Sequence, residues 1–408
     1  MTVSQKPRTG PRPLGLHLGL ASFTLGSSVA ALALMREGGI SWMPELQQDA
    51  DIVQSEIKEF DLSELIRGLG DEGCSRTQQM IEGIRKYHAH PYRRPVSEAP
   101  VIWQHGSASL LDYGEGLPSS APVIFLVPSL VNRAYILDLM PGRSFVVAMA
   151  AAGIRPLLVD WGTPGERELD YSLDNYLLEV LAPALDFSKS QFPNAPLHLA
   201  GYCMGGTVAV ALAQIRQQQL DSLITIAAPW DFHKGLGQAA RGFLGDPVRW
   251  QVIVDSFNEL PVDILQAFFA SLDPNLCMTK FGLFNQMAQD SARAEMFVAL
   301  EDWLNDGAPL VKKVALSCFD DWYGANKPVT GEWIVAGKKL CPKDIQISAM
   351  IVVPKSDKIV PPASALALAR QLPDATVVTP GSGHIGMMVG SGAEAGLWQN
   401  VIDWVRRA

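Results

Sequence analysis

The sequence predicts an α/β protein built on a doubly wound, mostly parallel sheet. Three observations support this prediction. Short apolar strands alternate with helical stretches, several strands are apolar on both faces, and one strand ends in a glycine-flanked turn that leads directly into a helix. Strands that are apolar on both faces are normally covered by helices on both sides, as in parallel sheets. With 408 residues, 48% of them apolar and 18% charged, the chain can bury a large core, and its composition argues against disorder.

The net charge and the cysteines indicate which partners and which cellular compartment suit the chain. The formal net charge is −9, so the chain has no basic excess with which to neutralise nucleic-acid phosphates. The cysteines are odd in number and no two of them form a C-x-x-C pair, so neither a zinc site nor a disulfide framework is predicted. They are Cys74, Cys203, Cys277, Cys318 and Cys341. This usage favours a reducing, cytoplasmic compartment.

Residues 1–98 are expected to form a helical N-terminal extension. An uncharged run from Leu14 to Met35 follows basic residues and is long enough to span a membrane, although polar residues and glycines interrupt it. Three interpretations stay open: a signal peptide, a membrane span, or an apolar helix that packs on the protein or lies on a hydrophobic surface. The third is favoured. Helical patterns follow over residues 40–67 and 77–87, and His88 and His90 are interpreted as loop residues rather than a metal pair.

The predicted α/β body occupies residues 99–230 and 332–408, and residues 231–331 interrupt it. That middle stretch breaks the alternation and is rich in aromatic residues, so we expect it to be a cap inserted over the carboxyl edge of the sheet. An antiparallel pair is predicted at residues 99–103 and 109–113. Further strands are predicted at residues 122–128, 154–160, 197–200, 220–228, 347–353 and 375–379, and helices at 144–152, 173–190, 207–214 and 393–406.

The glycine-flanked turn carries a nucleophile-type residue at its apex. The sequence Gly201-Tyr-Cys-Met-Gly205 has the form of the G-x-S-x-G elbow, with cysteine in place of serine. Without side chains at Gly201 and Gly205, strand and helix can approach each other while Cys203 takes a strained conformation that exposes its sulfur. The same pentapeptide could also surround a structural cysteine, because free cysteine is usually a core residue. Partners for the sulfur are needed to choose between these interpretations.

Two later loops supply such partners. Asp357 follows a late strand, and His384 stands in a glycine-rich loop before the last helix. A thiol nucleophile needs a base, and the base needs an acceptor that orients it. The order Cys203, Asp357, His384 is the nucleophile–acid–base order of α/β-hydrolases, so we predict that these three residues are catalytic. Asp320 and Asp321 are weaker alternatives for the acid because they fall in the predicted cap.

An oxyanion formed during acyl transfer needs two backbone donors. One is expected to be the N–H of Met204, the residue after the nucleophile. The other should come from the loop after the strand at 122–128, where Val131 is the predicted donor.

At these residues the sequence resembles the polyhydroxyalkanoate synthases, in particular the shorter, class III-like catalytic subunits. The likeness runs from about Tyr87 to the C-terminus, is loose over residues 231–330, and rests on five stretches in the same order. These are residues 130–139, 160–164, 172–176, 201–207 and 383–386. The resemblance implies the α/β-hydrolase fold and an acyltransferase that polymerises 3-hydroxyacyl groups from coenzyme A thioesters.

The resemblance also implies roles and partners. Cys203 would hold the growing chain as a thioester, His384 would deprotonate Cys203, and Asp357 would orient His384 or act on the incoming 3-hydroxyl. Coenzyme A enters as part of the substrate, so no separate cofactor and no metal is expected. Expected partners are the growing polyester, a second copy of the chain or a second synthase subunit, and the surface of a polyester granule in the cytoplasm, on which the apolar Leu14–Met35 run could hold the enzyme.

Two other functions compete with polymerisation. One is a hydrolase with a thiol nucleophile that acts on esters or thioesters, and the other is a non-catalytic protein that binds granules. The retained cysteine, aspartate and histidine count against the second. Exchange of an acyl group between coenzyme A and a cysteine is nearly neutral in energy, so sulfur suits a transferase that passes its acyl group on.

Overall fold

The computed structural model describes residues 7–95 and 97–407 of the chain, which form two compact units. One unit combines the N-terminal residues up to Arg93 with residues 266–305, and the other combines Arg94–Leu265 with the residues from Asp306 onward. The expected cap at 231–331 is therefore divided between the two units. Its middle part belongs with the N-terminal helices, and its two flanks belong with the sheet.

The N-terminal unit is helical. Its first three helices are α1 (Leu14–Arg36), α2 (Gln47–Ile57) and α3 (Leu62–Ala89), and two more helices, Leu276–Asn285 and Ala292–Asn305, complete it. The pattern at 77–87 belongs to the single long helix α3 rather than to a separate helix. Asp61 caps α3, because its carboxylate accepts from the amides of Ser63 and Glu64.

The core of this unit explains why residues from the expected cap lie here. Tyr87 and Phe281 are fully buried against each other, with ring centroids 5.8 Å apart. At Gly83 a Cβ atom would stand 2.8 Å from the backbone carbon of Phe281, so α3 and the helix Leu276–Asn285 are in backbone contact. The apolar face of α3 thus has its partner almost two hundred residues away. The interpretation of His88 as a loop residue is wrong, because His88 lies in the last turn of α3 and His90 follows the helix as its C-cap. The ring of His88 donates to the carbonyl of Gly10, and that of His90 donates to the carbonyl of Gln289.

The second unit confirms the predicted fold class. Its sheet has eight strands in the order β1-β2-β4-β3-β5-β6-β7-β8, and the pairs from β4 to β8 are parallel while β2 pairs antiparallel with β1 and β4. The strands are β1 (Val101–His105), β2 (Ala108–Asp112), β3 (Val123–Val127), β4 (Arg155–Asp160), β5 (Leu197–Tyr202), β6 (Ser222–Ile226), β7 (Ser348–Val352) and β8 (Ala375–Val378).

Helices cover this sheet as its two-sided apolar strands require. The residues of β3, β5 and β6 are all buried. The helix Val262–Leu272 contains the boundary between the two units, which falls after Leu265. The other helices of this unit are Phe145–Ala151, Leu173–Asn175, Tyr176–Leu181, Ala182–Gln191, Met204–Arg216, Gln238–Leu244, Pro247–Phe257, Lys312–Leu316, Ser317–Gly324, Lys327–Thr330, Pro362–Ala369, Gly386–Val389, Glu394–Trp398 and Gln399–Arg407.

Strand register brings the predicted functional loops to one edge. Val127 at the end of β3 pairs with Gly201, and Tyr202 at the end of β5 pairs with Ile226. Ile226 in turn pairs with Val352 at the end of β7. The loops after β3, β5, β6 and β7 therefore start side by side at the carboxyl edge, which is where open α/β sheets place their sites.

Candidate active site

The elbow after β5 holds Cys203 in a strained backbone conformation. Cys203 has φ 55° and ψ −129°, a region that residues with a side chain rarely adopt. Its amide donates to the carbonyl of Ile226 at 2.9 Å, and its carbonyl accepts from the amide of Gly206 at 2.8 Å. These two bonds fix the backbone on either side of the turn, and the helix Met204–Arg216 begins at the next residue.

The glycines of the motif are required by close backbone approach. A Cβ atom on Gly205 would lie 2.5 Å from the carbonyl oxygen of Pro128, and one on Gly201 would lie 2.6 Å from the Cα of Gly206. Both obstacles are backbone atoms that cannot rotate away. The start of the elbow helix therefore packs directly on the end of β5 and on the loop after β3.

His384 and Asp357 form a buried pair. His384 Nδ1 lies 2.7 Å from Asp357 Oδ2, and the two residues are only 7% and 5% exposed. The other carboxylate oxygen, Oδ1, accepts from the amides of Ile359 and Val360, each at 2.9 Å. Because both oxygens of Asp357 are engaged, the carboxylate is held in one orientation against the ring.

The electrostatics tie this pair to Cys203. Burial lowers the pKa of His384, but the charge of Cys203 and the hydrogen bond to Asp357 outweigh it and raise the pKa to about 10. The hydrogen bond of the ring is to the carboxylate of Asp357, and the charge of Cys203 acts on the ring electrostatically. A buried imidazole oriented by a carboxylate is suited to serve as the base for a thiol nucleophile.

Tyr202 supports the histidine from the strand. Its hydroxyl donates to the backbone carbonyl of His384 at 3.3 Å, and the two rings lie 5.1 Å apart. Burial, with the charges of Cys203 and Asp357, raises the pKa of Tyr202 well above its ordinary value. A neutral phenol therefore fixes the loop that carries the base. Sequence reasoning had singled out the motif around Tyr202 without giving this side chain a role.

Two acidic residues that were considered as alternatives to Asp357 lie elsewhere. Asp321 pairs with Lys327, whose Nζ lies 2.6 Å from its carboxylate. The pKa of Asp320 is raised by burial and by the nearby Asp321. The histidine partner that the structure provides is Asp357.

Met204 and Val131 stay predictions as oxyanion donors. Met204 is the first residue of the elbow helix. The amide of Val131 lies 3.4 Å from Ser129 Oγ, a long hydrogen bond within its own loop, and its carbonyl accepts from Ala308 at 3.3 Å. Trp161 Nε1 donates to the carbonyl of Pro128 at 3.1 Å and so braces this loop.

Two of the other cysteines, Cys277 and Cys318, are buried. Burial raises the pKa of Cys277 to about 12 and also raises the pKa of Cys318, so both remain protonated. Within residues 7–95 and 97–407, no group of three or more histidine, cysteine, aspartate or glutamate side chains could hold a metal ion.

Comparison with known proteins identifies the fold family. A profile described as the alpha/beta hydrolase fold matches residues 158–391, more than half of the chain. The chain belongs to the alpha/beta hydrolase fold family. Among solved structures, it is similar to the thioesterase domain from the curacin biosynthetic pathway, with 17% identity, 77% of this chain and 100% of that chain covered, and a TM-score of 0.46.

The α/β-hydrolase also resembles a named group of enzymes. It is 29% identical over 310 residues to the poly(3-hydroxyalkanoate) polymerase subunit PhaC of Haloferax mediterranei, which is 74% of this chain and 63% of the relative. The subunit of the same name from Synechocystis is 28% identical, with 75% of this chain and 83% of the relative covered. The one from Allochromatium vinosum is 25% identical, with 81% and 96% covered.

Proposed function

We propose that the protein is an acyltransferase that polymerises 3-hydroxyacyl groups from coenzyme A thioesters into polyhydroxyalkanoate and releases coenzyme A. The proposal is supported by the cysteine elbow and the buried His384–Asp357 pair, in a chain similar over about three quarters of its length to proteins named poly(3-hydroxyalkanoate) polymerase subunit. A serine elbow with the same partners would be an ordinary hydrolase site.

The proposed first half-reaction loads the enzyme. The sulfur of Cys203, whose proton has moved to His384, attacks the thioester carbonyl, a carbon–sulfur bond forms, and a tetrahedral oxyanion develops. The amides of Met204 and Val131 are the proposed donors to that oxyanion. Collapse breaks the bond to coenzyme A, and the proton on His384 leaves with the coenzyme A thiol.

The proposed second half-reaction extends the polyester. A 3-hydroxyl oxygen attacks the carbonyl of the acyl–Cys203 thioester, the new carbon–oxygen bond forms, and the carbon–sulfur bond breaks. His384 receives the hydroxyl proton and returns it to the sulfur. The reaction needs no cofactor beyond the coenzyme A of the substrate.

The hydrogen bonds of Asp357 favour one of its two proposed roles. Oδ2 faces His384, Oδ1 faces two amides, and the side chain is completely buried. A carboxylate so engaged orients the imidazole and stabilises its protonated form. Direct action on the incoming 3-hydroxyl would require one of these bonds to be given up.

The proposed surface partner is a polyester granule, which α1 would contact. This helix is the single element in the described residues that is long and apolar enough to cross a membrane, with a mean hydropathy of 1.7. Phe23 is 74% exposed and Leu34 is 57% exposed, while Ala21 is the buried residue of the helix. An exposed apolar helix suits a hydrophobic surface. A second copy of the chain or a second synthase subunit stays a prediction.

Incubation with 3-hydroxybutyryl-coenzyme A tests the proposal. Wild type should release free coenzyme A together with insoluble polymer, and a Cys203→Ala variant should release neither. Free coenzyme A with free hydroxy acid and no polymer would instead indicate a thiol hydrolase. Polymer formation by Cys203→Ala at the wild-type rate would refute the catalytic role of this residue.

A further inference from the structure

The loop that follows β6 begins beside the nucleophile. Ile226 accepts from the amide of Cys203, and the next residue, Ala227, has φ 47°, the left-handed conformation in a residue with a side chain. A Cβ atom on Gly206 would stand 2.5 Å from Cβ of Ala228, so the loop also touches the elbow helix. Any segment fastened to this loop is thereby positioned relative to Cys203.

One such segment is the π-helical stretch Ser317–Gly324 from the distal flank of the expected cap. Three residues fasten it to the loop, and we call Asp231, His233 and Asn326 the cap clamp. Asp231 Oδ1 accepts from Asn326 Nδ2 at 2.9 Å and from the amide of His233 at 3.1 Å. Asn326 Oδ1 accepts from the amide of Phe232 at 2.9 Å, so the asparagine side chain both donates to the loop and accepts from it.

The histidine of the cap clamp holds the end of the π-helical stretch itself. His233 Nε2 lies 2.8 Å from the carbonyl of Tyr323 and 3.2 Å from that of Gly324. Carbonyls near the end of a helix lack intrahelical partners, so an imidazole N–H is a suitable donor to them. Asn326 is only 7% exposed, and a buried hydrogen-bonded amide of this kind fixes a single arrangement.

The clamp holds Tyr323 against the loop that follows β6. The ring of Tyr323 meets that of Phe232 edge-on at 5.1 Å and lies 6.1 Å from that of Phe319. Burial and the charge of Cys203 raise the pKa of Tyr323, so its phenol stays neutral. Trp322, beside it, is buried and stacks on Phe232 at 5.2 Å.

We propose that Asp231, His233 and Asn326 are positioning residues that hold the Tyr323 segment against the loop that begins beside Cys203, and that this hold decides whether the acyl group is passed to a hydroxyl of the polyester or lost to water. The inference rests on the proposed function. In both outcomes the carbon–sulfur bond of the acyl enzyme breaks and a carbon–oxygen bond forms, and the proton of the attacking alcohol or water returns to the sulfur through His384. The two reactions differ only in which oxygen reaches the carbonyl, so exclusion of water selects between them.

The test uses a variant that removes the bridge without straining the backbone. Asn326 has φ 54°, a conformation that glycine adopts readily, so Asn326→Gly removes the side chain alone. His233→Ala removes the imidazole that donates to the carbonyls at the end of the π-helical stretch. The matched control is Asn400→Ala, which deletes a side-chain hydrogen bond to Gly396 in the C-terminal helix.

Two readouts separate failure of the inference from failure of the proposed function. The first, alkylation of Cys203 by iodoacetamide followed by peptide mass spectrometry, requires no substrate. Loss of the side-chain hydrogen bonds of the cap clamp should raise the open fraction of the segment, and hence the alkylation rate, about tenfold. The second is the ratio of free hydroxy acid to polymer formed from 3-hydroxybutyryl-coenzyme A.

We expect Asn326→Gly and His233→Ala to raise both the alkylation rate and the share of hydrolysis, while Asn400→Ala leaves both at the wild-type level. His233→Gln, which keeps a side-chain N–H donor, should restore much of the wild-type behaviour. Unchanged alkylation and an unchanged product ratio in both clamp variants would overturn the inference while leaving the polymerase activity established. A wild-type enzyme that forms no polymer would overturn the proposed function and, with it, the part of the inference that concerns product choice.

Discussion

Replacing Asp357 by asparagine should reverse the tautomer of His384. The carboxylate now accepts three hydrogen bonds, two from the amides of Ile359 and Val360 and one from the histidine ring. Asparagine has a single acceptor oxygen, and that oxygen will face the two amides because turning its NH2 group toward them would leave buried donors unpaired. Its NH2 group then faces Nδ1 of His384, which must become an acceptor, so Nε2 carries the proton and cannot take one from Cys203.

The expected loss of activity follows from the free energy needed to turn the asparagine amide so that its NH2 group faces the two backbone amides. Leaving a buried donor unsatisfied costs about 1–3 kcal/mol, so turning the amide round against two donors costs about 4 kcal/mol. At about 1.4 kcal/mol for each factor of ten, the productive tautomer becomes about a thousandfold rarer. We therefore expect kcat for coenzyme A release to fall about a thousandfold in Asp357→Asn.

The assay is rapid-quench measurement of coenzyme A release, with Asp321→Asn as the control. Asp321 pairs with Lys327 rather than with His384, and its replacement should leave the rate within about threefold of wild type, since partly exposed ion pairs contribute little. If Asp357 acts on the 3-hydroxyl instead, the variant will release one equivalent of coenzyme A at the wild-type rate and then stop. Such a burst, or an Asp357→Asn activity above a tenth of the wild-type value, would refute the proposal that Asp357 acts by fixing the tautomer of His384.

Three further predictions concern the elbow, the charge on the histidine and the apolar helix. Gly205→Ala should lower the free energy of unfolding by about 3 kcal/mol in a denaturant titration, because the new Cβ meets the backbone of the loop after β3. In Cys203→Ala the pKa of His384 should fall from its raised value, as followed by NMR of the ring, because the sulfur is the strongest of the groups that raise it. A group whose pKa is raised on folding contributes its full stabilisation at pH values below its unfolded pKa of 6.5, and this contribution is lost as the pH rises toward 10. Between these pH values, the free energy of unfolding should therefore fall more in wild type than in Cys203→Ala. Phe23→Asp with Leu34→Asp should lower the fraction of enzyme that sediments with polyester granules, because two charges would enter the exposed apolar face.

Each of these has a control and an outcome that contradicts it. Gly237→Ala, where a Cβ would meet nothing within 4 Å, should be nearly neutral, and equal loss in both glycine variants would remove the steric argument. An unchanged titration of the histidine in Cys203→Ala would show that the sulfur does not influence it. Val248→Asp with Val252→Asp charges another exposed apolar surface, and an equal drop in sedimentation there would argue against a specific role of α1.

The sequence was most informative where chemistry is local. The turn around Cys203 needs glycines within a few residues, and the strand before it is marked by an apolar run, so the elbow and the mostly parallel sheet could be predicted. Asp357 and His384 were found because each stands in a short loop after a strand of a recognisable fold. The first hairpin was placed less well, at 99–103 and 109–113, whereas the strands run over Val101–His105 and Ala108–Asp112 because the tight turn at Gly106 sets their register.

Packing between distant parts of the chain could not be anticipated. Nothing near Gly83 indicates that its missing side chain admits the backbone of Phe281, so residues 266–305 were assigned to a cap. The cap clamp is similar: Asp231, His233 and Asn326 are unremarkable polar residues in sequence, and only the fold brings the last of them to the loop after β6. The left-handed conformation of Asn326 has no strong local signal either.

The most direct test of the account is the mass of the peptide that contains Cys203 after rapid quenching with 3-hydroxybutyryl-coenzyme A. The account predicts a 3-hydroxybutyryl adduct on this cysteine within the first turnover, sensitive to hydroxylamine and absent from Cys203→Ala. Release of coenzyme A by wild type with no adduct on Cys203, or an adduct that forms at another residue and supports polymer in the variant, would contradict it.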